Sequence, residues 1–309
     1  MNFEKHSYND WMALVQKYIK DKPLDSFIHE IYPGLNYQPF AHPASSPDLA
    51  PLDLDFEHKF GAYIHADLSK EDTLLLLKNG CQALAFNLQS DVSKSLDGIH
   101  LDYIAPIFLG SKSTSEIEAY ILANHQDRPI PKVYFEDKTE LSTQTIECRV
   151  YKTSDLDPIA QIVDLCQQYK NGPDANPAFL VPTSEQFMLE IARLRALRIL
   201  ISNVQQNMGW AIRPIEIITQ ISPVKPVDSH DYALIQNTAI AMSSIIGTAN
   251  ITLIDTKDKA SNDNRLNLHV LNILHMESNL HAPSDVMGGS YFIEDLTEKI
   301  AKLVWERLT

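Results

Sequence analysis

His65 and Asp67 are the first residues of this sequence whose types and spacing could move a proton. They stand two apart in the run FGAYIHADL (60–68), and side chains two apart on a β-strand project to the same face. An imidazole and a carboxylate side by side can serve as base and acid for a bound molecule. The same pair can equally belong to a hydrogen-bonded polar cluster that plugs the end of a strand layer, and the sequence leaves both readings open. Three more polar residues lie at the ends of apolar runs: Asn87 after ALAF, Gln220 in AIRPIEIITQIS and Asp255 closing ANITLID. If these runs are strands of a closed barrel, their C-terminal ends form the mouth, where such folds place their active sites.

Other chemistry lacks its signature. There is no G-x-x-x-x-G-K-[ST], G-x-G-x-x-G or G-x-S-x-G, so the usual signals for ATP, a dinucleotide or a serine nucleophile are missing. The chain has 11 histidines, and His269, His275 and His281 are spaced six apart. On one helix, consecutive members of that set would differ in direction by about 120°, so no metal site is expected. Asp228-Ser229-His230 begins like the cobalamin-ligating D-x-H-x-x-G, but its sixth position is Ala233. It is read as a cap for the helix that follows. Cys81, Cys148 and Cys166 are too few and too scattered for a disulfide framework and are read as buried thiols.

The elements that must position these residues follow from the periodicity. The chain has 309 residues, 44% of them apolar and 21% charged, enough for one large barrel of about 250 residues with additions. Residues 8–31 read as helical. Residues 32–55, with five prolines, read as an extended arm. The expected domains are therefore 1–55, N-terminal helices and arm, and 56–309, the barrel. Strands are expected at 60–68, 83–88, 101–109, 131–136, 145–152, 178–182, within 211–222 and at 249–255. Helices are expected at 70–79, 113–124, 155–170, from 184, 229–246 and 263–280. Eight such units predict a (β/α)8 TIM-type barrel, with an open doubly wound sheet as the competitor. A missing fourth helix and Pro106 inside the third strand depart from the pattern.

On the long helix, Phe187, Ile191, Leu194, Leu197, Ile201, Val204 and Met208 form one apolar stripe. Thr183 or Ser184 is expected to cap it, and Arg193, Arg195 and Arg198 are expected on its solvated face. Ala62, Ala66, Ala83 and Ala85 read as interior residues, leaving room for a threaded substrate or matched by larger neighbours. The net charge of −14 argues against nucleic acid and against an anionic membrane as partners. No signal-like run or membrane span is legible, so a cytoplasmic location is expected.

The C-terminal part resembles a known family. PTSEQFMLEIARLRALRILISNV (182–204) resembles the F-x-x-I-A-K-L-R-A-x-R-x-L-W signature of methylmalonyl-CoA mutases, and LIQNTAIAMSSIIGTANITLID (234–255) resembles the segment that follows it. In 264–308, Asp285, Gly288, Gly289, Ser290, Tyr291, Glu294, Leu296, Thr297 and Trp305 match D-P-x-G-G-S-Y-x-x-E-x-L-T and the closing tryptophan. Trp11, Lys17, Lys20 and the P-L-D-S run resemble the opening of the small, non-catalytic subunit. The R-P-W-x-x-R-Q-Y, S-G-Y-H and Q-T-S-G-W-S-L motifs of catalytic chains are missing, Gln236 stands for the family arginine, and Thr248 replaces a family glycine. The resemblance implies a barrel that binds no cofactor by itself. It would support a large subunit carrying adenosylcobalamin, as a heterodimer, or self-associate. The alternative is a stand-alone barrel that handles an acyl-CoA or small acidic ligand with His65 and Asp67.

Overall fold

A reciprocal cap opens the chain. Ser7 Oγ accepts from the Asp10 amide, and the Asp10 carboxylate accepts from the Ser7 amide at 2.8 Å, which satisfies two donors at the start of helix α1 (Tyr8–Ile19). The helix ends well short of residue 31. Lys20 takes a left-handed backbone, φ 56°, and Pro23 follows, a residue that cannot continue a helix. A 3-10 turn at Leu24–Phe27 leads into an antiparallel hairpin, β1 (His29–Tyr32) and β2 (Leu35–Tyr37). This hairpin corrects the expected helix and arm.

The chain is represented by a computed structural model that describes residues 6–20, 22–38, 40–42, 47, 52, 54, 57–65, 68–87, 96–110, 114–124, 130, 132–137, 145–153, 157–222, 230–256 and 261–309. Eight parallel strands follow the hairpin: β3 (Lys59–Ile64), β4 (Ala83–Asn87), β5 (Ala105–Leu109), β6 (Lys132–Phe135), β7 (Ile146–Lys152), β8 (Pro177–Pro182), β9 (Glu216–Ile221) and β10 (Ile251–Asp255). Each pairs with the next, and β10 pairs with β3, so the sheet closes. This is a (β/α)8 barrel, not the open sheet. Pro106 is accommodated because it pairs with Leu84 of β4 while pairing to β6 starts only at Ile107, so a donor is not missed there. Gly61 is required where β3 meets β4: a Cβ on it would fall 1.9 Å from the Ala83 carbonyl oxygen. The connection after the fourth barrel strand runs through 138–144, outside the described residues.

Helices α2 (Lys70–Lys78), α3 (Thr114–Asn124), α4 (Pro158–Asn171), α5 (Phe187–Asn207), α6 (His230–Ile246), α7 (Ser261–Met276) and α8 (Tyr291–Leu308) surround the ring. The outward strand positions pack under them: Phe60, Ala62, Ile64, Leu84 and Phe86 on one side, Phe179, Val181 and Ile217 on the other. Ala62 therefore faces the helices and does not line the bore. Ala66 lies outside the described residues. Ala83 and Ala85 do point inward. No helix among the described residues is long and apolar enough to cross a membrane.

The arginines of α5 are buried, not solvated. The helix is enclosed by α4, α6, α8 and the barrel wall, so its apolar stripe is only part of a surface buried on all sides. Arg193 is fully enclosed. It gives its Nε and Nη2 to Glu190, Nη1 to Gln161 Oε1 at 2.5 Å and Nη2 to the Pro182 carbonyl at 2.6 Å. Arg195 pairs with Asp285. Arg198 donates to Thr248 Oγ1, the Thr248 and Ile215 carbonyls and Asn250 Oδ1. A planar fork with fixed donors meets such convergent acceptors better than an ammonium would. Thr248 itself has φ +75°, an unfavourable backbone for a β-branched residue, where the resembled family has glycine. Arg198 grips both of its oxygens. Neither Thr183 nor Ser184 caps α5. The first turn begins after Gln186, and Ser184 donates instead to Glu190.

Candidate functional site at the barrel mouth

The ends of three adjacent strands bring the site together. His65 follows β3, Asp255 ends β10 and Gln220 lies near the end of β9. His65 Nε2 lies 2.5 Å from Asp255 Oδ1, and Gln220 Nε2 donates to Asp255 Oδ2 at 3.0 Å. Both oxygens of a carboxylate only 8% exposed are thus engaged, while 25% of the His65 side chain stays in contact with solvent. With Nε2 donating to the carboxylate, Nδ1 is left as an acceptor, the arrangement of an oriented base. Tyr63, two residues earlier on the same face, places its ring 4.9 Å from that of His65. Burial pushes the Tyr63 phenol up, the Asp255 charge adds to this, and a hydrogen bond with Asn87 opposes it. Beside them, Glu136 accepts from the Gly110 amide and from Lys152 Nζ, each at 2.7 Å.

The structure places His65, Asn87, Gln220 and Asp255 near one another at the mouth. The partner of His65 is Asp255, 190 residues away, and Asp67 lies outside the described residues. The sequence argument does not single out Tyr63, Glu136 or Lys152. Glu136 and Lys152 also stand at strand ends, so the same signal finds them.

The opposite end of the bore is closed by different chemistry. Lys132 at the start of β6 and Glu216 at the start of β9 pair across two intervening strands, and Tyr134 donates to the same carboxylate at 2.6 Å. Burial pulls the Lys132 ammonium down, but Glu216 outweighs it and the net direction is up. Burial and Glu216 both push the Tyr134 phenol up. Between floor and mouth, Ala83, Ala85, Ala105, Ile107, Val150, Ala178, Leu180, Ile218, Ile251 and Leu253 form one buried apolar cluster. Gly61, Ala83 and Ala105 are neighbours in register on one side of the ring, and the larger Ile107, Leu180, Ile218, Ile251 and Leu253 share the same buried cluster, so the bore is packed through these layers.

The cysteines are buried and free. Burial pushes the Cys81 thiol up to about 12, and burial with the Glu216 charge does the same to Cys148, so neither is a ready nucleophile. Among the described residues no group of three or more His, Cys, Asp or Glu could hold a metal. His281 lies beyond the end of α7, so the one-helix geometry expected for His269, His275 and His281 does not apply. Asp228 and Ser229 lie outside the described residues, and their capping role with them.

Fold and site together define a closed (β/α)8 barrel with a filled bore and a polar mouth. Residues 177–309 match the family model described as Methylmalonyl-CoA mutase, which supports a mutase-family domain over that segment. No curated protein matches the chain. Among solved structures, it is similar to dihydropteroate synthase from Yersinia pestis, with 10% identity, TM-score 0.40, and 72% of this chain and 93% of that one covered. It is similar also to the dihydropteroate synthase from Thermus thermophilus (10%, 0.38, 72% and 96%) and to protein CitE from Mycobacterium tuberculosis (10%, 0.37, 73% and 95%).

Within the matched segment, the motif residues serve structure. Asp285 holds Arg195, the Gly289 amide donates to Glu294 Oε1 at 2.7 Å, Ser290 precedes α8, and Leu296 and Thr297 are buried. Gly247 is required by packing: a Cβ there would stand 2.9 Å from a Leu194 methyl on α5 and 2.7 Å from the Ser243 carbonyl.

Proposed function

We propose that this chain is the small, non-catalytic barrel of a methylmalonyl-CoA mutase-type assembly. It would stabilise a large subunit that binds adenosylcobalamin and interconverts methylmalonyl-CoA and succinyl-CoA. The observation that carries the reading is the filled bore. A thioester entering along the axis meets the Asp255–His65–Gln220 network, then buried apolar layers, then the Lys132–Glu216–Tyr134 floor. The match over 177–309 supplies the kinship. The corrin is assigned to the large subunit because the cobalamin-ligating D-x-H-x-x-G is not completed here: Asp228-Ser229-His230 is followed by Ala233 at the sixth position.

The test is reconstitution. Mixed at micromolar concentration with a mutase large subunit, the chain should elute as a defined complex and raise that subunit's thermal midpoint. Separate elution of the two would overturn the reading.

A second reading, a barrel that binds its own small ligand, is favoured by one observation, the His65–Asp255 contact at a part-exposed mouth. It predicts that an acyl-CoA or small acid at a hundredfold excess over its dissociation constant stabilises the chain by about 2.7 kcal/mol. A thermal-shift screen without any response removes it.

A further inference from the structure

His58, His275 and His281 form a second cluster of titratable side chains, remote from the mouth. His58 precedes β3 on its outward side, as Phe60 does, and its Nε2 lies 3.0 Å from Thr252 Oγ1. His275 is in the last turn of α7, its ring 5.8 Å from His58 and 5.4 Å from Phe60. His281, in the connection from α7 to α8, lies flat on His275, with centroids 3.8 Å apart and planes 12° from parallel. The Nδ1 atoms of all three are buried without a hydrogen-bond partner. Rings stacked face to face send their in-plane lone pairs side by side, not toward a common point, so the cluster is not a metal cage.

We propose that this stack is an acid-released latch: neutral rings hold the start of the α7–α8 connection against the N-terminal end of the barrel, and protonation frees it. A proton on any member puts charge in a buried place beside the other imidazoles. Burial first, then His275 and His281, push His58 down to about 3. Burial and His281 push His275 down, against the Glu57 carboxylate that faces it. Thr252 from β10 and Phe60 from β3 bring no charge to the cluster. The C-terminal end of α7 favours a cation at His275, but the net direction is still downward. Further along the connection, Asp285 stays tied to Arg195, which confines the release to residues 277–284.

The sign follows from linkage. A freed imidazole takes up a proton near its ordinary value of about 6.5, while the stacked one resists it. Opening is therefore insensitive to pH above about 7 and grows as pH falls below about 6.5. Between about pH 7.5 and about pH 5.5 uncovering His58, held at about 3 in the stack, multiplies the open population about tenfold, and His275 acts in the same direction.

Hydrogen–deuterium exchange on the full chain, scaled for intrinsic amide rates, tests this. Amides of 277–282 should open about tenfold or more at about pH 5.5 relative to about pH 7.5, while α5 amides keep their protection. His58→Phe retains a flat ring without a titratable nitrogen and should lower the response about tenfold, and His275→Phe gives a second, independent check. Equal protection at the two pH values, loss shared equally by α5, or an undiminished response in both variants would each overturn the latch.

Discussion

Along α5 three arginines are enclosed and answered by fixed acceptors, and the Arg193–Glu190 pair is wholly cut off from solvent. At the mouth the carboxylate of Asp255 is enclosed in the same way, yet its partner is a histidine that keeps a quarter of its side chain in solvent. A buried guanidinium does not lose its proton near neutral pH, so α5 carries permanent charges, two of them ion-paired and Arg198 held by neutral acceptors, that fix the helix against α4, the connection before α8 and the segments leading into β9 and β10. The mouth instead keeps an oriented ring nitrogen within reach of solvent. The residues most like a mutase family therefore hold the scaffold, and the residue with accessible chemistry, His65, lies outside the matched segment.

Breaking one side of this contrast should cost most in α5. Glu190→Ala leaves Arg193 charged and buried beside neutral acceptors only, and should lower unfolding free energy by about 3–5 kcal/mol, read from urea midpoints. A loss under about 1 kcal/mol would mean that the network rearranges freely and that the contrast is false. Asp285→Ala should cost about 3 kcal/mol by stranding Arg195, whereas the double change Arg195→Met with Asp285→Leu should recover most of it, because well-packed apolar residues replace a buried pair at little cost. A double-mutant cycle measures the difference, and additive losses would show that the two residues act separately. The smallest change in stability belongs to the mouth. Asp255→Asn keeps the shape and should cost about 1 kcal/mol, yet it removes the carboxylate that fixes the proton on His65 Nε2. Nitrogen–proton correlation spectra of the imidazole should then show a changed tautomer mixture. An unchanged Nε2–H signal would show that Asp255 does not orient the ring.

Much of this is legible in the sequence. Short apolar runs between helical segments, repeated eight times, locate the barrel strands to within a few residues, and the strand-end rule points to four residues that the structure places at the mouth. A stripe argument misreads the α5 arginines because it assumes a helix with one wet face. A helix enclosed by three others and a sheet has none, and its charges must then be met by carboxylates or by convergent neutral acceptors. Asp255 reads as a mouth residue but not as the partner of His65, since barrel closure, not sequence distance, joins β10 to β3. The hairpin escapes because helical spacing around Trp11 and Tyr18 invites extension past Lys20, where a left-handed backbone and Pro23 end it.

That hairpin also bears on how the molecule is made. Leu35 enters the core beside α8, Tyr37 meets Phe292 edge-on at 5.2 Å, and Lys299 Nζ donates to the Asn36 carbonyl. Tyr32 reaches Asp157, the residue that caps α4. During synthesis, which runs from the N-terminus, residues 29–37 leave the ribosome long before the surface that receives them exists. They must wait, exposed, until residues 291–308 emerge, so a segment translated early is among the last to find its place.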